Sequence, residues 1–80
     1  MTAKFYKDDK YKFSNANVIK VNPNKKYGYF EITQKFYHFE IITVHRFTEV
    51  DKIELYREYD KIPIETLDIR KDEKTEHATH

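Results

Sequence analysis

The size and composition of the chain limit it to one small domain. Its 80 residues leave no room for two hydrophobic cores. Hydrophobic residues make up 39% and charged residues 36%, with one Gly and two Pro, which excludes collagen-like and Gly/Pro-rich low-complexity chains. Seven Tyr and six Phe argue against disorder over the whole length, because disordered chains are poor in aromatic residues.

The sequence carries no signal for a membrane, a secretory leader or a disulfide. No apolar run reaches the ~18–20 residues of a membrane span, and no apolar leader segment opens the chain. The absence of Cys excludes disulfides, thiolate zinc sites and Cys nucleophiles. We therefore expect a cytoplasmic protein that has no membrane partner, and no cofactor is indicated.

The charge is distributed unevenly along the chain. Residues 1–37 carry eight Lys and three carboxylates, a net +5, whereas residues 38–80 carry seven basic and eleven acidic residues, a net −4. A basic half is typical of a surface that contacts nucleic acid. The alternative is that the fold mixes the two halves and the charges only solvate it.

The first part of the chain predicts two short strands. Residues 4–13 combine charged and aromatic residues and favour an N-terminal edge strand that is interrupted at Asp8-Asp9. Residues 14–17 have the composition of a turn, and residues 18–21 then predict a strand. Residues 22–25, Asn-Pro-Asn-Lys, close that strand with a turn.

The middle of the chain gives the strongest strand signals. Residues 26–33 are rich in Tyr, Phe and Ile and predict a strand, and residues 34–35 predict a turn. Residues 36–47 form a third β-rich run.

The last part of the chain is ambiguous between helix and strand. Apolar residues at helical spacing after Thr48 favour a helix over 49–60, and the competing interpretation is a strand centred on Ile53 and Leu55. A final strand is predicted from Lys61 to about Ile69, with Pro63 at an edge or a bulge.

These elements predict a mainly β fold. We expect a small five-stranded barrel of the OB or SH3-like type, with one short helix or irregular crossing near 49–60, because a barrel removes exposed strand edges. Residues 1–70 would form this single domain, and residues 71–80 a mobile polar tail.

The segment 22–30 carries the clearest functional signal. On a strand, Lys25, Tyr27 and Tyr29 would share one face, while Phe30 would enter the core. Two neighbouring rings beside a cation could stack unpaired bases and attract phosphate, and Lys20 and Lys35 would add phosphate contacts. The alternative is that the two tyrosines pack across strands as structural pairs. The chain's single glycine, Gly28, lies between the rings and indicates a bend, a bulge or a close approach of a ligand.

These residues resemble the cold-shock domains. The pattern Asn22-x-x-Lys25-x-Tyr27-Gly28-Tyr29-Phe30 resembles their RNP1-type motif, and Ile42-Thr43-Val44-His45 resembles their second motif, V-F-V-H. The resemblance covers about residues 18–69 and implies a five-stranded OB barrel that binds single-stranded DNA or RNA. The binding positions that it implies are Lys25, Tyr27, Tyr29 and His45, with Lys20 in place of an aromatic residue. The sequence departs from the family at Lys26, where the motif has Gly, and at Thr43, where it has an aromatic residue.

Catalysis is not indicated by any pattern in the chain. Its single Ser, Ser14, lacks the Gly-x-Ser-x-Gly context of a nucleophile, and no phosphate-binding loop or His-Glu-x-x-His motif is present. We therefore expect a non-catalytic module for single-stranded nucleic acid. The alternative is a protein-binding adaptor or inhibitor, or a module that forms homodimers through Tyr-rich exposed strands.

Overall fold

The computed structural model describes residues 1–70, which form seven β-strands. The expectation of a mainly β fold is confirmed, while the predicted polar tail at 71–80 lies outside the described residues. The strands, numbered in chain order, are β1 Thr2–Lys7, β2 Lys10–Asn15, β3 Val18–Asn24, β4 Tyr29–Lys35, β5 Glu40–Arg46, β6 Lys52–Tyr56 and β7 Glu65–Asp68.

The strands form two antiparallel sheets instead of the expected five-stranded barrel. One sheet has the order β2-β1-β6-β7 and the other the order β3-β4-β5. The strand count differs because residues 1–17 contribute two strands, β1 and β2, and residues 52–56 contribute a strand of their own. Within residues 1–70 the two sheets stay open and do not close into a barrel.

The β1–β2 hairpin corrects the prediction of an interrupted N-terminal edge strand. Asp8 and Asp9 both have positive φ, 52° and 65°, and connect the two strands as a two-residue turn. Two consecutive left-handed residues match the right-handed twist of a hairpin, and Asp tolerates this conformation. As a result β1 lies inside its sheet between β2 and β6, and β2 forms the edge.

Residues 49–60 do not form the predicted helix. The segment contains strand β6, in which Ile53 and Leu55 are buried while their neighbours are half-buried. This period of two places both side chains on one face of a sheet, and β6 pairs with β1 and β7 on its two sides. The alternative interpretation of a strand centred on Ile53 and Leu55 is therefore correct.

Both sheets contribute their inner faces to one hydrophobic core. In the four-stranded sheet the ring of Phe5 stacks on Phe13, with 4.5 Å between the ring centres. In the three-stranded sheet Phe30 meets Phe47 edge to face at 4.9 Å. The buried hydrophobic residues are Ala3, Phe5, Val18, Phe30, Ile32, Val50, Ile53 and Leu55.

The outer face of the four-stranded sheet carries a polar network centred on Glu54. The Tyr56 hydroxyl donates a hydrogen bond of 2.9 Å to Glu54 Oε1. The Nζ atoms of Lys4 and Lys52 each lie 4.6 Å from a ring centre, that of Tyr56 and that of Tyr6 respectively. A hydrogen bond to Glu54 raises the pKa of Tyr6, and burial adds to this rise.

Glu54 makes stability depend on pH in the acid range. Burial alone would raise its pKa, but hydrogen bonds from Tyr6 and Tyr56 and the nearby lysines outweigh burial and hold the pKa below its ordinary value of 4.5. A carboxyl whose pKa falls on folding contributes stability above its unfolded pKa, and this contribution is lost as the pH drops through the folded pKa. We expect the free energy of unfolding of the wild type to fall more steeply below about pH 4.5 than that of Glu54→Gln.

Urea unfolding at a series of pH values between neutral and acid checks this expectation. Glu65→Gln is the matched control, because Glu65 is an exposed glutamate on the neighbouring strand β7. Equal acid slopes for Glu54→Gln and wild type would contradict the assigned network.

Candidate nucleic-acid interface

The β3–β4 hairpin is closed by a four-residue loop, residues 25–28. The amide of Gly28 donates to the carbonyl of Asn24 at 2.8 Å, and the amide of Tyr27 donates to Asn24 Oδ1 at 3.1 Å. Gly28 has φ of 76°, in the left-handed region. A Cβ there would meet its nearest neighbour, Phe47 Cδ2, at 4.0 Å, so space is available. The backbone conformation, not crowding, is therefore the reason for glycine at this position.

The hairpin loop changes the predicted geometry of the aromatic pair. The strand expected from residue 26 begins only at Tyr29, so Lys25 and Tyr27 lie in the loop and strand alternation does not place them on a shared face. The Tyr27 side chain is nevertheless 69% exposed, and Lys26 Nζ lies 5.4 Å from the centre of its ring. Tyr29 is half-buried, and its hydroxyl accepts a hydrogen bond of 3.2 Å from Asn24 Nδ2. Both rings therefore lie outside the buried core.

Lys20, Tyr29 and Lys35 share the outer face of the three-stranded sheet. Thr33 pairs with Lys20 on β3, and Tyr29, Thr33 and Lys35 are separated by even numbers of residues along β4. Strand alternation therefore directs all of these side chains to one side. The six residue steps from Tyr29 to Lys35 separate the aromatic end of this face from Lys35 by about 20 Å.

Arg46 joins the aromatic end of the face, a placement that the sequence analysis did not identify. It lies directly opposite Tyr29 in the β4–β5 register and is exposed. An open groove runs between the hairpin loop and the end of β5, and its lining includes Tyr27, Tyr29, Arg46 and Phe47. Only the β4–β5 pairing register shows that Arg46 lies next to Tyr29. The sequence analysis treated residues 36–47 as one uninterrupted run and therefore could not derive this register.

His45 lies on the opposite face of β5. Its ring centre is 5.2 Å from that of Phe5 and 5.1 Å from that of Phe13, and the residue is half-buried. The structure therefore does not bring His45 together with Tyr27 and Tyr29. Its position facing the four-stranded sheet follows from strand alternation, because its neighbour Arg46 faces outward.

The charge on the outer face is mixed but mainly positive. Glu31 lies between Tyr29 and Thr33 on β4, and Glu40 lies opposite Lys35. The cationic side chains of this face and its loop are Lys20, Lys25, Lys26, Lys35 and Arg46. Positive charge therefore predominates at both ends of the face, while Glu31 places one carboxylate near its centre.

Comparisons with protein-family models, curated proteins and solved structures find no significant match to this chain. Among residues 1–70, no three or more His, Asp or Glu side chains are grouped so that they could hold a metal ion. The same part of the chain contains no helix of the length and apolarity needed to span a membrane.

Proposed function

We propose that this chain is a small non-catalytic module that binds single-stranded nucleic acid. The interface consists of the outer face of β3, β4 and β5 together with the loop 25–28. The observation that carries the proposal is that the exposed Tyr27, the half-buried Tyr29 and Arg46 line one open groove, with Lys26 near the Tyr27 ring. An aromatic ring stacks on any base, and such stacking contributes about 1–3 kcal/mol per base.

Lys20 and Lys35 supply phosphate contacts at the other end of the interface. They share the face of Tyr29, so a strand whose bases stack at the hairpin loop can extend its backbone along the sheet towards them. Contacts to phosphate release counterions, and binding must therefore weaken as the salt concentration rises. Lys25 lies in the hairpin loop, next to the stacking end.

The resemblance of residues 22–30 to the RNP1-type motif of cold-shock domains supports the same ligand class. The support comes from the residue types at the surface and not from a common architecture, because residues 1–70 form two open sheets. His45, which that resemblance also implies, is left out of the proposed interface because its ring packs against Phe5 and Phe13.

Fluorescence anisotropy with labelled single-stranded oligonucleotides, DNA and RNA, tests the proposal at two salt concentrations. Replacing both Tyr27 and Tyr29 by Ala is expected to weaken binding by about tenfold or more, since two stacking rings are lost. The matched control is Tyr37→Ala with Tyr59→Ala, because these tyrosines are 93% exposed and lie in other loops.

The proposal predicts that the control variant binds with wild-type affinity. It also predicts that the affinity of the wild type falls steeply as the salt concentration rises. A Tyr27/Tyr29 variant that binds as well as the wild type would show that the rings are not the binding surface. No binding even at low salt would instead favour the alternative of a protein-binding module. That alternative is supported by the near-neutral net charge of +1 and by the exposed apolar side chains of β5.

A further inference from the structure

The two sheets of residues 1–70 have four edge strands, β2, β3, β5 and β7. The start of the β3 edge is already paired, because Val18 exchanges two hydrogen bonds with Met1. Three of the four edge strands carry features that hinder pairing with another chain. The edge strand β2 contains two lysines and a register shift, β3 contains Pro23 and a register shift after Val18, and β7 has only four residues. Only β5 among these four lacks such a feature.

Strand β5 presents a long edge with an apolar centre and one charged residue at each end. Its seven residues contain neither Pro nor Lys, and they pair with β4 without a register shift. Ile42 and Val44 point to the outer face and are 60% and 51% exposed. An edge with these properties is a template for another strand.

The hydrogen bonds at both ends of the β4–β5 hairpin show which backbone groups are free. The amide of Phe47 donates to the carbonyl of Gly28 at 2.9 Å, and the amide of Phe36 donates to the carbonyl of Phe39 at 2.8 Å. Residues 39 and 47 therefore belong to the hydrogen-bonded pairs, and in an antiparallel ladder such pairs alternate. It follows that residues 40, 42 and 44 direct their N–H and C=O groups to the free edge, and that Arg46 directs its N–H there. The carbonyl of Arg46 accepts hydrogen bonds from the amides of Glu49 and Val50, both at 2.9 Å.

We propose that a second copy of this chain pairs with the free edge of β5. The two copies of β5 run antiparallel about a twofold axis at Thr43. This register places Ile42 opposite Val44 of the partner copy and Glu40 opposite Arg46 of the partner copy, and the twofold axis repeats both pairs. Glu40, Ile42 and Val44 direct both backbone groups to the free edge, and Arg46 its N–H. The register therefore allows complete hydrogen-bonded pairs at Ile42 and Val44, and one backbone hydrogen bond, from Arg46 N–H to the Glu40 carbonyl, at each end.

Charge complementarity selects this register over its neighbours. Neither Glu40 nor Arg46 forms an ion pair within residues 1–70. The twofold axis at Thr43 brings Glu40 of each copy next to Arg46 of the other, at both ends of the seam, which is the contact between the two β5 strands. Moving the axis to Ile42 places Glu40 against Val44, and moving it to Val44 places Ile42 against Arg46. Each shift thus replaces an opposite-charge pair or an apolar pair with a mismatched one.

The side chain at the axis supports the same arrangement. The buried Thr43 Oγ1 has no hydrogen-bond partner within residues 1–70. Thr43 would face Thr43 of the partner copy in a non-hydrogen-bonded pair, the type with the closer side chains, and Thr–Thr pairs form hydrogen bonds across strands. Rotation about the Cα–Cβ bond of Thr43 turns its hydroxyl towards Thr43 of the partner copy, with which it then forms a hydrogen bond.

The dimer is a six-stranded sheet with two proposed nucleic-acid interfaces side by side. A seam made of one strand from each copy is smaller than the ~1,200–2,000 Å² of a stable protein interface, so dimerisation should depend on concentration. This inference stands without the proposed function, because it is tested in the absence of nucleic acid.

Sedimentation equilibrium of the full chain from micromolar to millimolar concentrations tests the dimer. Val44→Lys places two unmatched cations in the seam and is expected to weaken dimerisation at least tenfold. The matched control, Ile62→Lys, adds the same charge at an exposed aliphatic residue of the β6–β7 loop and should dimerise as the wild type does. Circular dichroism verifies that each variant is folded.

A charge exchange tests the register itself without touching a buried group. Glu40→Arg is expected to weaken the dimer, because each seam end then joins two arginines, and adding Arg46→Glu should restore it. A chain that stays monomeric over the whole concentration range overturns the proposal, as does a Val44→Lys variant that dimerises like the wild type. A double exchange that fails to restore the dimer overturns the twofold axis at Thr43.

Discussion

Replacing Phe5 by Ala is expected to lower the free energy of unfolding by about 3–5 kcal/mol, the range for a phenylalanine in a packed core. Phe5 is fully buried on β1, inside the four-stranded sheet. Its ring stacks on Phe13 and also contacts His45 of the other sheet, so its loss leaves a cavity between the two sheets. Small domains have a total stability of about 5–15 kcal/mol, so this single change removes a large fraction of it.

Urea denaturation followed by far-UV circular dichroism measures this effect. Phe39→Ala removes the same ring from a residue that is 58% exposed in the β4–β5 loop, and we expect its change to stay within about 1 kcal/mol. A similar loss of stability in both variants would mean that the core is not organised around Phe5.

Strand content was predictable from alternation, but the pairing of the strands was not. The residues from Lys52 to Tyr56 alternate between polar and apolar positions, and this pattern alone predicts β6 correctly. The wider spacing of Val50, Ile53 and Tyr56 also fits a helix, and the choice was decided by contacts with β1 and β7 that are remote in sequence. Local patterns cannot report such contacts.

The two-sheet architecture depends on a turn that was interpreted as an interruption. Asp8-Asp9 has no Gly, the usual sign of a two-residue hairpin, so residues 4–13 appeared as one irregular strand. The positive φ of both aspartates folds this segment into β1 and β2, which adds a strand and moves β1 away from the sheet edge. The expected barrel followed from the smaller strand count.

The composition of the candidate interface was predicted better than its geometry. Tyr27 is exposed, as the sequence analysis requires, but it reaches the surface from a hairpin loop and not from a strand. Gly28, which has positive φ, is the last residue of that loop. In the sequence it suggested a bend within a strand, but in the structure it lies directly before the first residue of β4. The position of Arg46 opposite Tyr29 depends on the β4–β5 register, which no local sequence pattern specifies.

Replacing Asp51 by Ala is expected to lower the free energy of unfolding by about 2–3 kcal/mol. Asp51 is 2% exposed, and its Oδ2 accepts the amide hydrogen of Asp8 at 3.2 Å. The same oxygen lies 3.7 Å from Lys7 Nζ and 3.8 Å from Arg70 Nε, so it connects the β1–β2 turn with the residues that follow β7. Alanine would leave a backbone donor and two cations without this acceptor. Because both cations are partly exposed, water recovers some of the loss, and the effect stays below that of breaking a fully buried ion pair.

Asp51→Asn separates the hydrogen bond from the charge. The side-chain amide oxygen of this variant can still accept the hydrogen bond from Asp8. If the stability of Asp51→Asn lies between those of wild type and Asp51→Ala, the difference between wild type and Asp51→Asn is due to the lost charge facing Lys7 and Arg70. The control is Asp60→Ala, which breaks an exposed ion pair of 3.1 Å with Arg57 and should change stability by less than about 1 kcal/mol. If Asp51→Ala costs no more than Asp60→Ala, the turn is held by its backbone conformation alone. The two left-handed aspartates would then need no anchor from Asp51, and the four-stranded sheet would be fixed by its apolar face.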